Sequence, residues 1–126
     1  MKLAQLFGTK RTGDDAERIA ERFLTQHGLT LVARNYHCRY GEIDLIMRHA
    51  ETLVFVEVKL RKTTAGRGDF GGAIASITAS KQARIIATAQ HYLSGMRELP
   101  QCRFDAVLLN ALDTKAVEWL PNAFEA

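Results

Sequence analysis

The chain has 126 residues, enough for one domain whose core needs neither disulfides nor a structural metal. Hydrophobic residues make up 47% and charged residues 25%, and no apolar run approaches the ~20 residues of a membrane span, so membrane-embedded and disordered classes are set aside. The net charge of +3 is too mild an excess to name a partner by itself.

Residues 1–12 are basic but lack the apolar stretch and cleavage site of a secretory signal. They are expected to form a flexible tail, and the expected compartment is the cytoplasm, with no membrane partner. A helix is predicted over 14–27, because Ala16, Ile19, Ala20, Phe23 and Leu24 recur on one stripe. Thr12 or Asp14 suits its start, Asp14 and Asp15 suit the positive end of its dipole, and Gly28 suits its stop. Strands are predicted over 29–35, 41–48 and 52–60, each rich in Ile, Val, Leu or Phe. Residues 61–72 break all periodicity, with Gly66, Gly68, Gly71 and Gly72 among Arg61, Lys62 and Arg67, and read as a flexible basic loop. A second helix is predicted over 78–94, stopped by Gly95, with Ala79, Ala83, Ile86, Ala87 and Leu93 facing the core. A fourth strand over 103–111 carries the continuous apolar run 106–109 of an interior strand, and a short fifth over 115–120 suits an edge.

No repeat, low-complexity tract or linker divides the chain, so a single domain over 1–126 is expected. Short connections among the first three strands imply an antiparallel meander. The helical crossover to the fourth implies a right-handed parallel pairing. The expected class is therefore α/β, a mixed central sheet flanked by helices.

Charge is unevenly placed: from Arg34 to Arg84 there are nine cations against five acids. Cys38 and Cys102 lie outside any CxxC pattern, and the four histidines form neither HxH nor HExxH, so a zinc or histidine-based metal site is not expected. The acids carry more. In 41–46 and again in 55–59 charged and apolar residues alternate, which puts Glu42 and Asp44 on one face of their strand and Glu57 and Lys59 on one face of the next. A hairpin turning on Ala50 and Glu51 then sets Asp44 opposite Glu57 and Glu42 opposite Lys59. Directly opposed carboxylates, with Cβ atoms ~5 Å apart, destabilise a sheet. A hard divalent cation, Mg²⁺ or Mn²⁺, is the natural remedy. Lys59, beside that site, is placed to stabilise charge developing on a phosphate. The alternative is a solvated charged face with a Glu42–Lys59 pair. Against it, aspartate disfavours strand interiors and the neighbouring residues are strongly apolar. Arg61, Lys62 and Arg67 on the loop, and Lys81 and Arg84 one turn apart on the second helix, are candidate contacts to nucleic-acid phosphates, or else ordinary solubilising charge.

At these residues a resemblance emerges. Asp44, followed after a hairpin by Glu57-Val58-Lys59, resembles the PD-(D/E)XK nuclease motif. The fuller pattern, Gly41-Glu42-Ile43-Asp44-Leu45-Ile46 and then Phe55-Val56-Glu57-Val58-Lys59-Leu60-Arg61, resembles the bacterial YraN family, considered related to archaeal Holliday-junction resolvases. The resemblance runs from about Gly13 to Leu109, with Ile43 in place of the motif's proline. It implies a restriction-endonuclease-like αβββαβ core and a Mg²⁺- or Mn²⁺-dependent endonuclease acting on DNA, in branched or structured form. Asp44, Glu57 and the Val58 carbonyl would hold the metal, Lys59 would be the catalytic lysine, and Glu17 would be the first-helix acid that approaches the metal. A homodimer would supply two sites to a symmetric junction. Two alternatives stand beside it: a catalytically weak nucleic-acid-binding module in a DNA-processing or uptake complex, and a structural domain that uses its sheet edge for partners.

Overall fold

The apolar stripe of the first helix and the hydrophobic strands meet in three layers, helix on sheet on helix. The computed structural model describes residues 2–61 and 77–126, with side chains from Gly13 onward. The elements run α1 (Lys2–Gln26), β1 (Leu29–Cys38), β2 (Gly41–His49), β3 (Thr52–Leu60), α2 (Ala79–Leu93), β4 (Cys102–Leu109), a 3₁₀ turn (Thr114–Ala116) and β5 (Val117–Phe124). The sheet has the order β1-β2-β3-β4-β5. β1 to β3 form the antiparallel meander, β4 lies parallel to β3, and β5 closes the edge antiparallel to β4. This is the expected αβββαβ order with a final edge strand. No helix among the described residues is long and apolar enough to cross a membrane.

Two expectations are corrected. The helix begins at Lys2, so 2–12 are its first turns and not a tail, and neither Thr12 nor Asp14 caps it. An interior glycine costs a helix only about 1 kcal/mol relative to alanine, so Gly8 and Gly13 do not stop it. The buried face of α2 is made by Ile85, Thr88 and Ala89, with Ala79 and Ala83 exposed. Thr88 can be buried because its hydroxyl donates to the Arg84 carbonyl at 2.7 Å. The glycine-rich stretch read as a basic loop, with Lys62 and Arg67, falls on 62–76, outside the described residues.

Ala16, Ala20 and Leu24 of α1 pack with Leu29, Leu45, Met47, Val54, Val56, Val107 and Leu109 on one face of the sheet. Ile85 and Ala89 of α2 pack with Ile43, Ile46, Phe55, Phe104 and Phe124 on the other. Gly28, with φ +95°, ends α1 in the left-handed conformation expected of it. Thr78 caps α2, its hydroxyl accepting from the Lys81 N–H at 3.1 Å.

A candidate metal and phosphate site where two strands part

The hairpin register is the expected one: His49 pairs with Thr52 and the ladder runs to Leu45 with Val56. There it ends. Beyond it, β2 continues on β1 as far as Gly41 with Cys38, and β3 continues on β4 as far as Leu60 with Leu109. β2 and β3 therefore part at Asp44 and Glu57, the two carboxylates expected to oppose each other.

The parting has a local cause. Residues two apart on a regular strand share a face. Ile43, however, packs in the α2-side core, whereas Leu45 and Met47 pack in the α1-side core. β1 turns over at the matching place. Arg34 reaches Glu21 of α1, Tyr36 packs on the α2 side, and Asn35 between them has φ +50°. Asparagine is one of the few non-glycine residues that enter this region readily. The tip of the β1–β2 hairpin is thus rotated relative to its base and leaves β3. Gly41 lets the tip lie close to α2, since a Cβ there would stand 3.1 Å from Thr88 Oγ1 and 3.5 Å from Arg84 Cβ. The Val58 N–H, which loses a strand partner where β2 departs, donates to Asp44 Oδ2 at 2.8 Å. This rotation corrects the expectation that Glu42, Asp44, Glu57 and Lys59 share one flat face, and the expected Glu42–Lys59 pair falls past the end of the ladder.

Three acids from three elements meet at this opening. Asp44 lies within hydrogen-bonding reach of Glu17 on α1 and of Glu57 on β3. Glu57 is buried, and Asp44 half-buried. Burial, reinforced by the Asp44 charge, raises the Glu17 carboxyl to about 8. The same two causes raise Glu57 to about 7, opposed by the Lys81 ammonium 3.2 Å from its Oε2. Asp44 is also raised by burial, against the Val58 N–H and the hydrogen bonds from Glu57 and Glu17. The cluster is short of positive charge. Among the described residues, no three His, Cys, Asp or Glu side chains already surround one point as ligands would. Glu57 is turned toward Lys81, and Asp44 toward the Val58 N–H.

The consequence for pH is direct. Glu17 and Glu57 hold protons in the folded protein that they release near 4.5 when unfolded. The resulting stabilisation is complete below that value, declines as pH rises, and is gone above about 7 for Glu57 and about 8 for Glu17. In thermal melts with a chelator present, the melting temperature is expected to fall from pH 5.5 to pH 8.5, and to fall less in Glu17→Gln/Glu57→Gln. Parallel curves for the two proteins would show that these carboxyls are not proton-linked to folding.

The remaining expected residues divide. Lys59 is exposed on β3, two residues beyond Glu57 on the same side. Lys81 enters the site, while Arg84 lies exposed on α2 beside Gly41. The Arg61 guanidinium donates to Asn110 Oδ1 at 3.2 and 3.0 Å and reaches Glu118 at 3.5 Å. Sequence reasoning missed Arg18 and Arg22. Together with Arg34 they line an open groove of about 570 Å³ across α1 and β1. It adjoins a small cleft that Arg18 and Arg34 share with Glu17. Their spacing of four beside Glu17, one turn apart on one helix side, was the available signal. Trp119 is structural: its Nε1–H donates to Asp105 at 2.9 Å and its ring meets Phe23, His27 and His49 edge-on or tilted.

A family model described as uncharacterised protein family UPF0102 matches residues 16–109, which span both helix faces and every acid of the site. The chain belongs to the UPF0102 family. It is similar to a UPF0102 protein of Nitrosospira multiformis, 55% identical over 113 residues that cover 90% of this chain and 92% of the relative. It is also similar to UPF0102 proteins of Methylobacillus flagellatus, 50% identical over 93% of this chain and 99% of the relative, and of Psychromonas ingrahamii, 47% identical over 99% of each. The YraN-like family membership expected from the motif pattern is thereby established for this UPF0102 chain.

Proposed function

We propose that this UPF0102 protein is a metal-dependent phosphodiester hydrolase of the PD-(D/E)XK type that acts on DNA, with branched or structured DNA as the favoured substrate. One observation carries the reading. Glu17, Asp44 and Glu57 converge from three elements at the only place where β2 and β3 separate among the described residues, and they are left short of positive charge. A purely structural cluster would cost stability without return, since gathering three acids in a partly buried place opposes folding.

The donor set fits Mg²⁺ or Mn²⁺, which take hard oxygen ligands. Asp44, Glu57 and the Val58 carbonyl would hold the ion, with Glu17 beside them. The chemistry supplied there is Lewis-acid neutralisation of the charge that grows on the phosphate. The chain itself contributes the rest. The Val58 N–H fixes the Asp44 carboxylate. The Lys59 ammonium stands ready for charge that develops in the transition state. Arg18 and Arg22, exposed on α1, offer guanidinium groups to the flanking backbone, as do Lys81 and Arg84 on α2 with their own cationic groups, while Arg34 is held bidentately by Glu21.

A second reading, a nucleic-acid-binding module with weak chemistry, is favoured by the absence of a ready-made three-acid cluster among the described residues. One experiment separates the two. Purified protein is incubated with duplex, single-stranded and four-way-junction DNA, with Mg²⁺, with Mn²⁺ and with chelator. The expected result is cleavage that requires the ion and disappears in Asp44→Asn. That variant keeps an oxygen for the Val58 N–H and removes a charge between two acids, so it should be as stable as wild type without metal, or more so by up to about 1 kcal/mol. Salt-sensitive binding without cleavage supports the second reading. No binding at low salt to any of these DNAs removes both.

A further inference from the structure

Lys81 occupies an unusual place for a cation. It is the third residue of α2, whose first turn contains no acidic residue. The positive end of a helix dipole disfavours a cation there. Its backbone N–H is already committed to the Thr78 cap, so its position in the first turn is fixed. From that position its ammonium reaches inward to Glu57 Oε2 at 3.2 Å, although the lysine side chain is 43% exposed and the glutamate only 10%. The helix gains nothing from this charge, whereas the acid cluster does. Among the described residues, Lys81 is the cation paired with Glu57.

We propose that Lys81 is a displaceable counter-ion: its ammonium fills, in the metal-free protein, the cation position beside Glu57 that a divalent ion takes on loading, and it leaves that carboxylate when the ion arrives. The proposal rests on the metal-site reading above and goes beyond it, since it assigns Lys81 to the regulation of metal affinity and not only to phosphate contact. Its physical content is competition. One carboxylate cannot be fully satisfied by the ammonium and by a divalent ion at once, and a fixed positive charge a few ångströms from the ion's position repels it at any dielectric. A site without Lys81 therefore binds the ion more tightly and loses its neutraliser when the ion is absent. In the wild-type protein the released ammonium, already partly exposed, becomes free for an anionic substrate.

The test uses the whole chain and Mn²⁺ alone, with no substrate. Free Mn²⁺ is titrated by its electron-spin-resonance signal against wild type, Lys81→Met, Lys81→Arg and Glu57→Gln, each checked for its folded circular-dichroism spectrum. Methionine keeps the unbranched stem and helix propensity and drops the charge. Lys81→Met is expected to bind Mn²⁺ about tenfold more tightly than wild type, Lys81→Arg about as wild type does, and Glu57→Gln more weakly than any. Tighter binding in Lys81→Met supports the proposal even where wild type itself binds too weakly to measure. Equal or weaker binding in Lys81→Met, with loss in Glu57→Gln, overturns the counter-ion role and leaves the metal site standing. No Mn²⁺ binding by any of the four overturns both.

Discussion

Lys59→Ala is expected to lower the rate of metal-dependent DNA cleavage by about 10²–10³-fold, the loss seen when a single group that stabilises developing charge is removed. Affinity for the same DNA should change little. Lys59 is exposed, and in the proposed reading it is one of several cations facing the backbone, with Arg18, Arg22, Lys81 and Arg84. Losing one phosphate contact among several lowers the salt dependence of binding by about one unit. A group that acts only in the transition state affects the rate and spares the ground-state complex. Single-turnover cleavage at saturating protein, paired with binding isotherms across a salt series, measures the two effects separately. If rate at saturation is unchanged and binding falls tenfold, Lys59 anchors the backbone and another group assists the chemistry.

Asp105→Ala is expected to destabilise the protein by about 3–5 kcal/mol, the range found when one partner of a buried ion pair is deleted. Asp105 is fully buried. Its carboxylate accepts from Arg103 at 2.9 and 3.1 Å, from Trp119 Nε1 at 2.9 Å and from the Asn122 N–H at 2.9 Å. Arg103 also donates to His49 Nδ1 at 3.0 Å, so that ring nitrogen must carry no proton. This hub ties the β4–β5 edge to the start of the β2–β3 hairpin. Alanine leaves four N–H donors, on three residues, without this acceptor, and asparagine satisfies too few of them because its amide nitrogen meets only donors. Urea unfolding should show a lower midpoint at unchanged slope. A loss below about 1 kcal/mol would mean that water replaces the carboxylate, and that β5 is held by its strand pairing alone.

Much of the architecture was legible because its determinants are local. The stripe from Ala16 to Leu24 specifies a helix whichever layer it joins, and those residues do face the core. A two-residue turn at Ala50 and Glu51, with Ala50 at φ +55°, sets the register of β2 on β3, so pairing Leu45 with Val56 follows from counting. Thr52–Leu60 was bounded correctly because both its ends are marked by a change of residue type. The ends of β1 and β5 were not. β1 runs on to Cys38 because the β2 tip pairs with it, and β5 passes through Pro121, which an edge strand tolerates.

The sequence by itself determined the order of elements, the central hairpin with its register once the turn is placed on Ala50 and Glu51, and the presence of Asp44, Glu57 and Lys59 on its two strands. Each follows from spacing along the chain, the period of helix or strand and the length of a turn. Only the tertiary structure decided that β2 turns over at Asp44, that Asp44 takes the Val58 N–H, and that Lys81 and not Lys59 pairs with Glu57. It also decided that Arg61 is committed to Asn110 and Glu118, and that Arg18, Arg22 and Arg34 share one groove. The alternation of charged and apolar residues gives the same pattern for a flat strand and for one that rotates by one face midway. What separates the two is the docking of both helices, which must bury Ile43 on one side and Leu45 on the other, and that requirement acts between residues far apart in the chain.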